Sequence, residues 1–416
     1  MRLDHLHIQN FRCYEDAHFD FQPGFNLVVG VNGSGKTSLL QAVAKCFHGL
    51  FDNDTAIASN SSLPEKDARF VIDNFDGRIR YERRLPVVLS AKGNVFAIAE
   101  WSVQIGDHPD APHTSTAAEL TIEDTDDSPI LAFYRANRRW ESAGISAEFA
   151  ARQRVSRRDG YSNWSDAVIN LKDFESWLIG KTLERMQNLL DAKTAPSVFD
   201  DELAWVNQAI QMALPQAGNL RYDLRLQSLI VDISAEKTIP FNDLSDSQRG
   251  LIALIADIAR RMCILNPHMG KDVLKNTSGV VIIDELDIHL HPAWQRNIVN
   301  ALKTAFPKVQ FIAASHSPQI IGSLRPEEII VLDNGDASHP RVSYGLDSSR
   351  VLEEVMGVAQ REPEIERLLS ELFSALENND LKEAKARLTA LKKKAPDLPE
   401  FIRAEALLKR KEILGK

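Results

Sequence analysis

Gly30, Gly35, Lys36 and Thr37 stand at the spacing Gly-x-x-x-x-Gly-Lys-Thr, inside the run Gly30-Val31-Asn32-Gly33-Ser34-Gly35-Lys36-Thr37-Ser38. This is the pattern of a phosphate-binding loop. Glycines let the backbone curl until successive N–H groups face one concavity and attract an anion. A lysine placed there reaches the outer phosphates, and a threonine hydroxyl can hold Mg²⁺. Such a loop needs a strand before it and a helix after it. Leu27-Val28-Val29 is a continuous apolar run, as in a parallel strand covered on both faces. Leu39, Leu40, Val43, Ala44 and Phe47 then share one helical face. The positive end of that helix would add to the anion site. The chain is therefore expected to bind a nucleoside triphosphate.

A second group lies at Val280-Val281-Ile282-Ile283-Asp284-Glu285, an apolar run ending in two carboxylates. Asp284 would orient the Mg²⁺ shell and Glu285 would polarise the attacking water, since phosphoryl transfer asks mainly for positioning and charge stabilisation. Leu244-Ser245-Asp246-Ser247-Gln248-Arg249-Gly250 opens a helical pattern from Leu251 to Leu265. Leu286-Asp287-Ile288-His289-Leu290-His291-Pro292 follows the carboxylates. A helix and a strand from Val309 to Ala313 then lead to Ser315-His316-Ser317-Pro318. Ser315 and His316 do not make a nucleophile and its base, because neighbours in an extended segment point to opposite faces.

The order of phosphate loop, Leu244–Gly250 segment, carboxylate strand, Leu286–Pro292 turn and strand-end histidine resembles ABC-type ATPases of the SMC and RecF class. The likeness covers about residues 1–50 and 225–335. It implies an α/β fold: an ABC-type (P-loop) ATPase head with an antiparallel β subdomain, a helical insert and a C-terminal helical extension. It further implies that Gly30, Asn32, Gly33, Ser34, Gly35, Lys36, Thr37 and Ser38 bind ATP, with Mg²⁺ on Thr37 and Asp284. Ser245, Ser247 and Gln248 would complete the site of an opposing copy, and Asp287 would cross that interface. Glu285 and His316 would be catalytic, His316 contacting the γ-phosphate. ATP rather than GTP rests on the resemblance, the guanine-reading Asn-Lys-x-Asp motif not occurring. The chain departs from the class at Asp246-Ser247, where the usual signature has Gly-Gly. A carboxylate so near triphosphate repels it unless turned away or paired, Arg249 being the candidate partner, and such a site suits a slow switch better than a fast motor. No Q-loop glutamine is evident; Phe133 to Arg138 stands roughly in its place.

A narrower resemblance rests on Asp284-Glu285 with His289-Leu290-His291-Pro292, on Ser315-His316-Ser317-Pro318, on the moderate insert and on the lack of a long coiled coil. These features are similar to the PtuA-like ATPase subunits of Septu-type and retron-associated anti-phage defence systems. That likeness implies a homodimer sandwiching two ATP, with higher assembly left open. It also implies an HNH-type nuclease partner under the control of the ATPase, and contact with DNA, RNA or a retron ribonucleoprotein. The alternative is a RecF/SMC-like DNA repair or recombination ATPase that binds DNA directly. The sequence offers no His-Asn-His cluster and no toprim-like carboxylate set, so the chain is expected to hydrolyse ATP and borrow any nuclease chemistry.

The rest of the 416 residues must position these groups. Four regions are expected: an N-terminal ATPase lobe (1–134), an arginine-rich and helical insert (135–220), a C-terminal ATPase lobe (221–345) and a helical extension (346–416). Between 67 and 134, β-like runs at Arg69 to Ile72, Gly77 to Arg83, Val95 to Ile105, Ala118 to Ile122 and Ile130 to Tyr134 suggest hairpins. Glu123 to Asp127 reads as a solvated turn. The net charge of −9 means that nucleic-acid binding would need a local patch. The candidate is Arg135, Arg138, Arg139, Arg152, Arg154, Arg157 and Arg158, interleaved with Trp140, Tyr161 and Trp164, since arginine suits phosphate and aromatic rings stack on bases. His5 and His7 share one face of the first strand with no third ligand in reach along the sequence, and His289 and His291 read as turn residues. Cys13, Cys46 and Cys263 have no metal spacing and read as buried thiols of a reducing cytosol. Leu368 to Leu376 and Leu381 to Leu391 read as one helical hairpin that packs on the core or on a partner. With no apolar run of 18 residues, the chain is expected to be cytoplasmic and to make no membrane contact.

Overall fold

The computed structural model describes residues 1–51, 65–75, 78–96, 98–105, 127–137, 145–152, 155–167, 171–191, 199–215, 217–234, 237–333, 335–358 and 361–414. The expected strand Ala118 to Ile122, the acidic residues Glu123 to Asp126, and Arg138, Arg139, Trp140 and Arg154 lie outside these. The chain divides into two compact units, Met1–Ser348 and Ser349–Lys416.

Continuous apolar runs become the centre of the first unit. Strands Phe25–Gly30, Gly279–Ile283 and Val309–Ala314 are buried along their whole length, which demands cover on both faces. They lie in a six-stranded sheet ordered Asp336–Ser338, Ile329–Asp333, Phe25–Gly30, Val309–Ala314, Gly279–Ile283, Ile130–Tyr134. All neighbours pair in parallel except the antiparallel edge strand Asp336–Ser338. The phosphate-loop strand thus sits beside Val309–Ala314, and the carboxylate strand lies one further along. Because the strands run parallel, their C-terminal ends and the loops leaving them converge on one edge. Ligand crevices of open α/β sheets form at that edge.

Alternating patterns make the second sheet. Leu3, Leu6, Ile8 and Phe11 are fully buried, while His5 and His7 face outward on the same strand, Arg2–Phe11. That strand pairs with Tyr14–Asp20 and Val87–Val95, and Ile98–Ile105 completes an antiparallel sheet of four. Val87–Val95 was not among the expected strands, although Val87, Leu89 and Ala91 alternate inward. The buried Gln310 amide joins the two sheets, accepting from Leu3 N at 2.8 Å and donating to Leu3 O at 2.7 Å. Arg69–Phe75 and Arg78–Arg84 form the expected hairpin.

Helix Asp246–Leu265 is buried from Leu251 onward, and the buried set includes Asp257, Arg260 and Arg261. Burial alone would raise the Asp257 carboxyl, but Arg261 and Arg260 outweigh it and hold it at about 2. Arg260 and Arg261 donate to its two oxygens at 2.7 and 2.8 Å. The Tyr134 hydroxyl donates to it at 2.8 Å. Arg261 also donates to the carbonyls of Gly160 and Ser162. One buried carboxylate therefore ties this helix to an edge of the central sheet and to the turn Arg157–Tyr161.

In the second unit, helices Pro363–Glu377, Leu381–Lys394 and Glu400–Leu414 share one core through Leu372, Leu376, Ala384, Leu391, Ala404 and Leu408. Asp380 caps the middle helix by accepting from Glu383 N at 3.0 Å. The predicted hairpin is present, and the third helix gives it a core within its own unit.

Candidate nucleotide site and its relatives

The phosphate loop leaves the buried strand at Gly30 and enters helix Lys36–Phe51. Leu39, Leu40, Val43 and Phe47 of that helix are fully buried, each worth about 1.5–3 kcal/mol relative to exposure, and this holds the loop against the sheet. Gly35 adopts φ +103°. A Cβ there would lie 2.6 Å from Tyr14 Oη and 2.8 Å from Cys13 Sγ, so the position needs glycine on both counts. The Tyr14 hydroxyl donates to Gly35 O at 3.0 Å.

Asn32, Gly33, Gly35, Lys36, Thr37 and Ser38 line a cleft of about 260 Å³. Facing them across it stand Asp284, Glu285 and His316, with Cys13 at the side. Lys36 Nζ donates to Gly30 O and Val31 O, both at 2.9 Å. Burial lowers the Lys36 pKa, offset in part by Asp284, Glu285 and Asp287. Thr37 Oγ1 donates to Asp284 Oδ2 at 3.0 Å. A hydroxyl and a carboxylate side by side are the oxygen donors that Mg²⁺ prefers. Ser34 Oγ is buried with no hydrogen-bond partner among the described residues, an arrangement that a ligand oxygen would satisfy. The residues present therefore fit a triphosphate and its cation.

Glu285, two residues beyond the carboxylate strand, adopts φ +47°. A non-glycine residue held there costs of order 1–3 kcal/mol, and such strain gathers at functional sites. Asp284 is buried and Glu285 is exposed, so one carboxylate braces the loop while the other faces solvent in the cleft. His316 follows the neighbouring strand. Burial, then the Lys36 charge, lowers its pKa, with partial compensation from Asp287, Glu285 and Asp284.

The Asp287 carboxylate accepts from Ser315 Oγ at 2.6 Å and from His316 N at 3.2 Å. Ser317 Oγ donates to Gln295 Oε1 at 2.7 Å, and Gln295 donates to Leu290 O at 2.9 Å. Asp287 was expected to reach across an interface; here it is engaged by the histidine segment of its own chain. His291 caps the next short helix, accepting from Ala293 N at 3.3 Å, a turn role as expected.

Ser245 caps helix Asp246–Leu265 in a reciprocal capping box with Gln248. Gln248 N donates to Ser245 Oγ at 3.4 Å, and Ser245 N donates to Gln248 Oε1 at 3.3 Å. Ser247 Oγ donates to His289 O. Ser245 is exposed, and none of Ser245, Ser247 and Gln248 lines the cleft of its own chain. Asp246 is paired with Arg249, the arrangement that offsets its negative charge.

The described arginines of this stretch divide between internal contacts and the surface. Arg157 donates to Leu265 O at 2.7 Å and Ser128 Oγ at 3.1 Å. Arg152 pairs with Glu148, and Arg135 donates to Ser165 O at 3.3 Å. Arg158 is exposed. Tyr161 and Trp164 are buried, and the Tyr161 hydroxyl donates to Pro129 O at 2.8 Å. The base-stacking expected of these two rings is thereby corrected: they are core residues. Sequence reasoning missed Cys13 and Tyr14, which reach the loop from the second sheet and carry no local motif. It also took Cys13 for a buried thiol, whereas it is exposed; Cys46 and Cys263 are buried.

Fold and site together define an ATPase head of the ABC type. The family described as an AAA domain matches residues 5–195, and one described as an AAA domain, putative AbiEii toxin, Type IV TA system, matches residues 123–322. Among named proteins the chain is similar to the retron Ec83 probable ATPase of Escherichia coli. The two are 28% identical over 88% of this chain and 78% of that one. It is similar also to the Septu protein PtuA of Bacillus thuringiensis, 24% identical over 91% of this chain and 90% of that one. Both likenesses run beyond the ATPase motifs and bear out the resemblance seen in the sequence. A solved SMC head bound to a winged-helix domain of ScpA aligns with 82% of this chain and 97% of its own, at 14% identity and a TM-score of 0.47, too loose to carry an argument. Among the described residues no helix is long and apolar enough to cross a membrane.

Proposed function

We propose that this chain is an ATP-driven switch of an anti-phage defence complex. Two copies close head to tail on two ATP, and the closed and open forms differ in how they hold a separate nuclease. The observation that carries the reading is the half-built cleft. Loop, carboxylates and histidine line it, while the exposed Ser245 helix start, which the resemblance assigns to an opposing copy, does not. A second copy turned by a two-fold axis would supply that helix start to each cleft.

In this arrangement the loop N–H groups and Lys36 bind the triphosphate, and Thr37 and Asp284 would hold Mg²⁺, which neutralises phosphate charge when bound. Glu285 orients the attacking water. His316 donates a hydrogen bond to the γ-phosphate, and loss of that phosphate on hydrolysis reaches Asp287 through its bonds from Ser315 and His316 N. ATP shifts the equilibrium to the closed form only by the extra contacts it makes there. The nuclease partner, of HNH type by resemblance, is supported by likeness to retron and Septu proteins along most of the chain. No observation of similar reach supports the repair alternative.

Two variants test the catalytic part. Lys36→Ala should abolish nucleotide binding. Glu285→Gln should bind ATP with near-normal affinity and hydrolyse it at least about a hundredfold more slowly. Full turnover by Glu285→Gln would refute the assignment. The partner is tested by purifying the tagged chain from its native cells with ATP and identifying what accompanies it by mass spectrometry. Absence of a nuclease would refute that part alone.

A further inference from the structure

The outer face of the N-terminal sheet carries a cluster that the nucleotide chemistry does not use. The register of Arg2–Phe11 against Tyr14–Asp20 sets His5 opposite Asp20, His7 opposite His18 and Gln9 opposite Asp16. Cross-strand neighbours on one face have Cβ atoms roughly 4.5–5.5 Å apart, so this register gathers three imidazoles and two carboxylates. His7 Nε2 and Asp16 Oδ1 are 2.8 Å apart, and His18 Nε2 is 3.6 Å from the same oxygen. One ligand atom from each of His7, Asp16 and His18 lies within 4.8 Å of the others.

The surrounding groups orient the donors. His5 Nδ1 is 2.8 Å from Asp20 Oδ1, and His5 Nε2 is 3.5 Å from His18 Nδ1. In neutral rings this chain of bonds places the His5 proton on Nδ1 toward Asp20. The His18 proton then sits on Nδ1 toward His5, and the His18 Nε2 lone pair points toward Asp16. Carboxylate-to-histidine bonds of this kind fix tautomer and ring direction behind metal ligands. The His7 and His18 rings stack at 4.0 Å, 12° from parallel. Lys92, opposite His5 on the adjoining strand, is paired with Glu100 at 2.8 Å, so its charge is offset.

We propose that His7, His18 and Asp16 form a zinc site, with His5 and Asp20 as positioning residues and the fourth coordination position open. Imidazole donors favour zinc over magnesium. Tetrahedral zinc holds such ligand atoms roughly 3.4 Å from one another, so His18 Nε2 closes slightly on Asp16 from 3.6 Å, while the 2.8 Å contact of His7 with Asp16 opens as zinc replaces the proton between them. The ion would join the two strands whose connecting turn presents Cys13 and Tyr14 to Gly35 of the phosphate loop.

The test uses the full chain, stripped with chelator, equilibrated with zinc sulfate and desalted, and measures zinc per chain by elemental analysis. The expected result is about one zinc per chain in the natural protein and none in His7→Ala/His18→Ala, with nucleotide binding unchanged because neither residue lines the cleft. Asp16→Asn should weaken zinc binding by at least about tenfold in a chelator competition. Cobalt in place of zinc should give the visible absorption of a tetrahedral nitrogen–oxygen site. The proposal is overturned if the natural protein keeps no zinc, or if the double variant, still binding nucleotide, keeps as much.

Discussion

Gly35 is the residue on which the loop's shape turns. Its φ of +103° and the closeness of Tyr14 Oη and Cys13 Sγ leave no room for a side chain. Left-handed backbone costs an alanine about 1–2 kcal/mol before any clash, and about 1.4 kcal/mol is a tenfold loss of affinity. Gly35→Ala should therefore weaken ATP binding by at least about tenfold while the melting temperature hardly moves, since the loop is a surface feature on an intact sheet. Calorimetric titration beside a thermal melt checks both halves. Asp246 makes the opposite point. A departure from the class motif that reads as repulsive is relieved locally by Arg249, four helical residues counted inclusively, without any change in the helix that presents it.

At the scale of elements, buried charge decides how the signature helix is held. Asp257 accepts hydrogen bonds from both Arg260 and Arg261 inside the protein. Removing one partner from such a set leaves charge uncompensated and typically costs about 3–5 kcal/mol. Asp257→Asn should lower stability by that order in urea unfolding, and the loosened helix start should weaken ATP-dependent dimerisation as well. His48, near the end of the phosphate-loop helix, works through protons. It is buried against Trp164, ring centroids 4.3 Å apart. Burial first, then Lys45 and Arg135, pushes its pKa down to about 3. The unfolded chain takes up that proton near the ordinary value of 6.5 and the folded chain does not. Stability from this group is thus full above that pH and falls as pH drops toward about 3. The slope should approach about 1.4 kcal/mol per pH unit, and His48→Gln should flatten it in unfolding measured at successive pH values.

For the whole molecule, the proposed pairing of a loop on one copy with a signature on the other makes a strong prediction. Lys36→Ala spoils the loop, and Ser245→Arg blocks the signature. Each variant alone should be inactive. Mixed in equal amounts, half of the pairs are heterodimers, each with one intact composite site, so about a quarter of the natural ATPase activity should return. Activity that stays at zero after subunit exchange, verified by differently tagged copies, would argue against the head-to-tail arrangement.

The phosphate loop, the carboxylate strand and the strand-end histidine were readable from the sequence because each is local. A strand, turn and helix in succession set the course of Gly30 to Ser38, and apolar runs announce fully buried parallel strands. The helix starting after Ser245 was readable for the same reason, its cap and its first turn being neighbours in the chain. Tertiary structure alone decided the rest. Tyr14 meets Gly35 by a side-chain hydrogen bond from the second sheet to the loop, Asp287 meets Ser315 and His316 across adjacent strand ends, and Asp257 meets Tyr134 from a helix to a sheet edge. Tyr161 and Trp164, which look like a nucleic-acid surface beside so many arginines, became core because the insert folds onto the signature helix. His5 and His7 looked like an exposed pair until the register brought His18 and Asp16 beside them. Local chain geometry carries the first group of contacts; strand register and packing across tens to hundreds of residues carry the second, and neither leaves a periodic trace in composition.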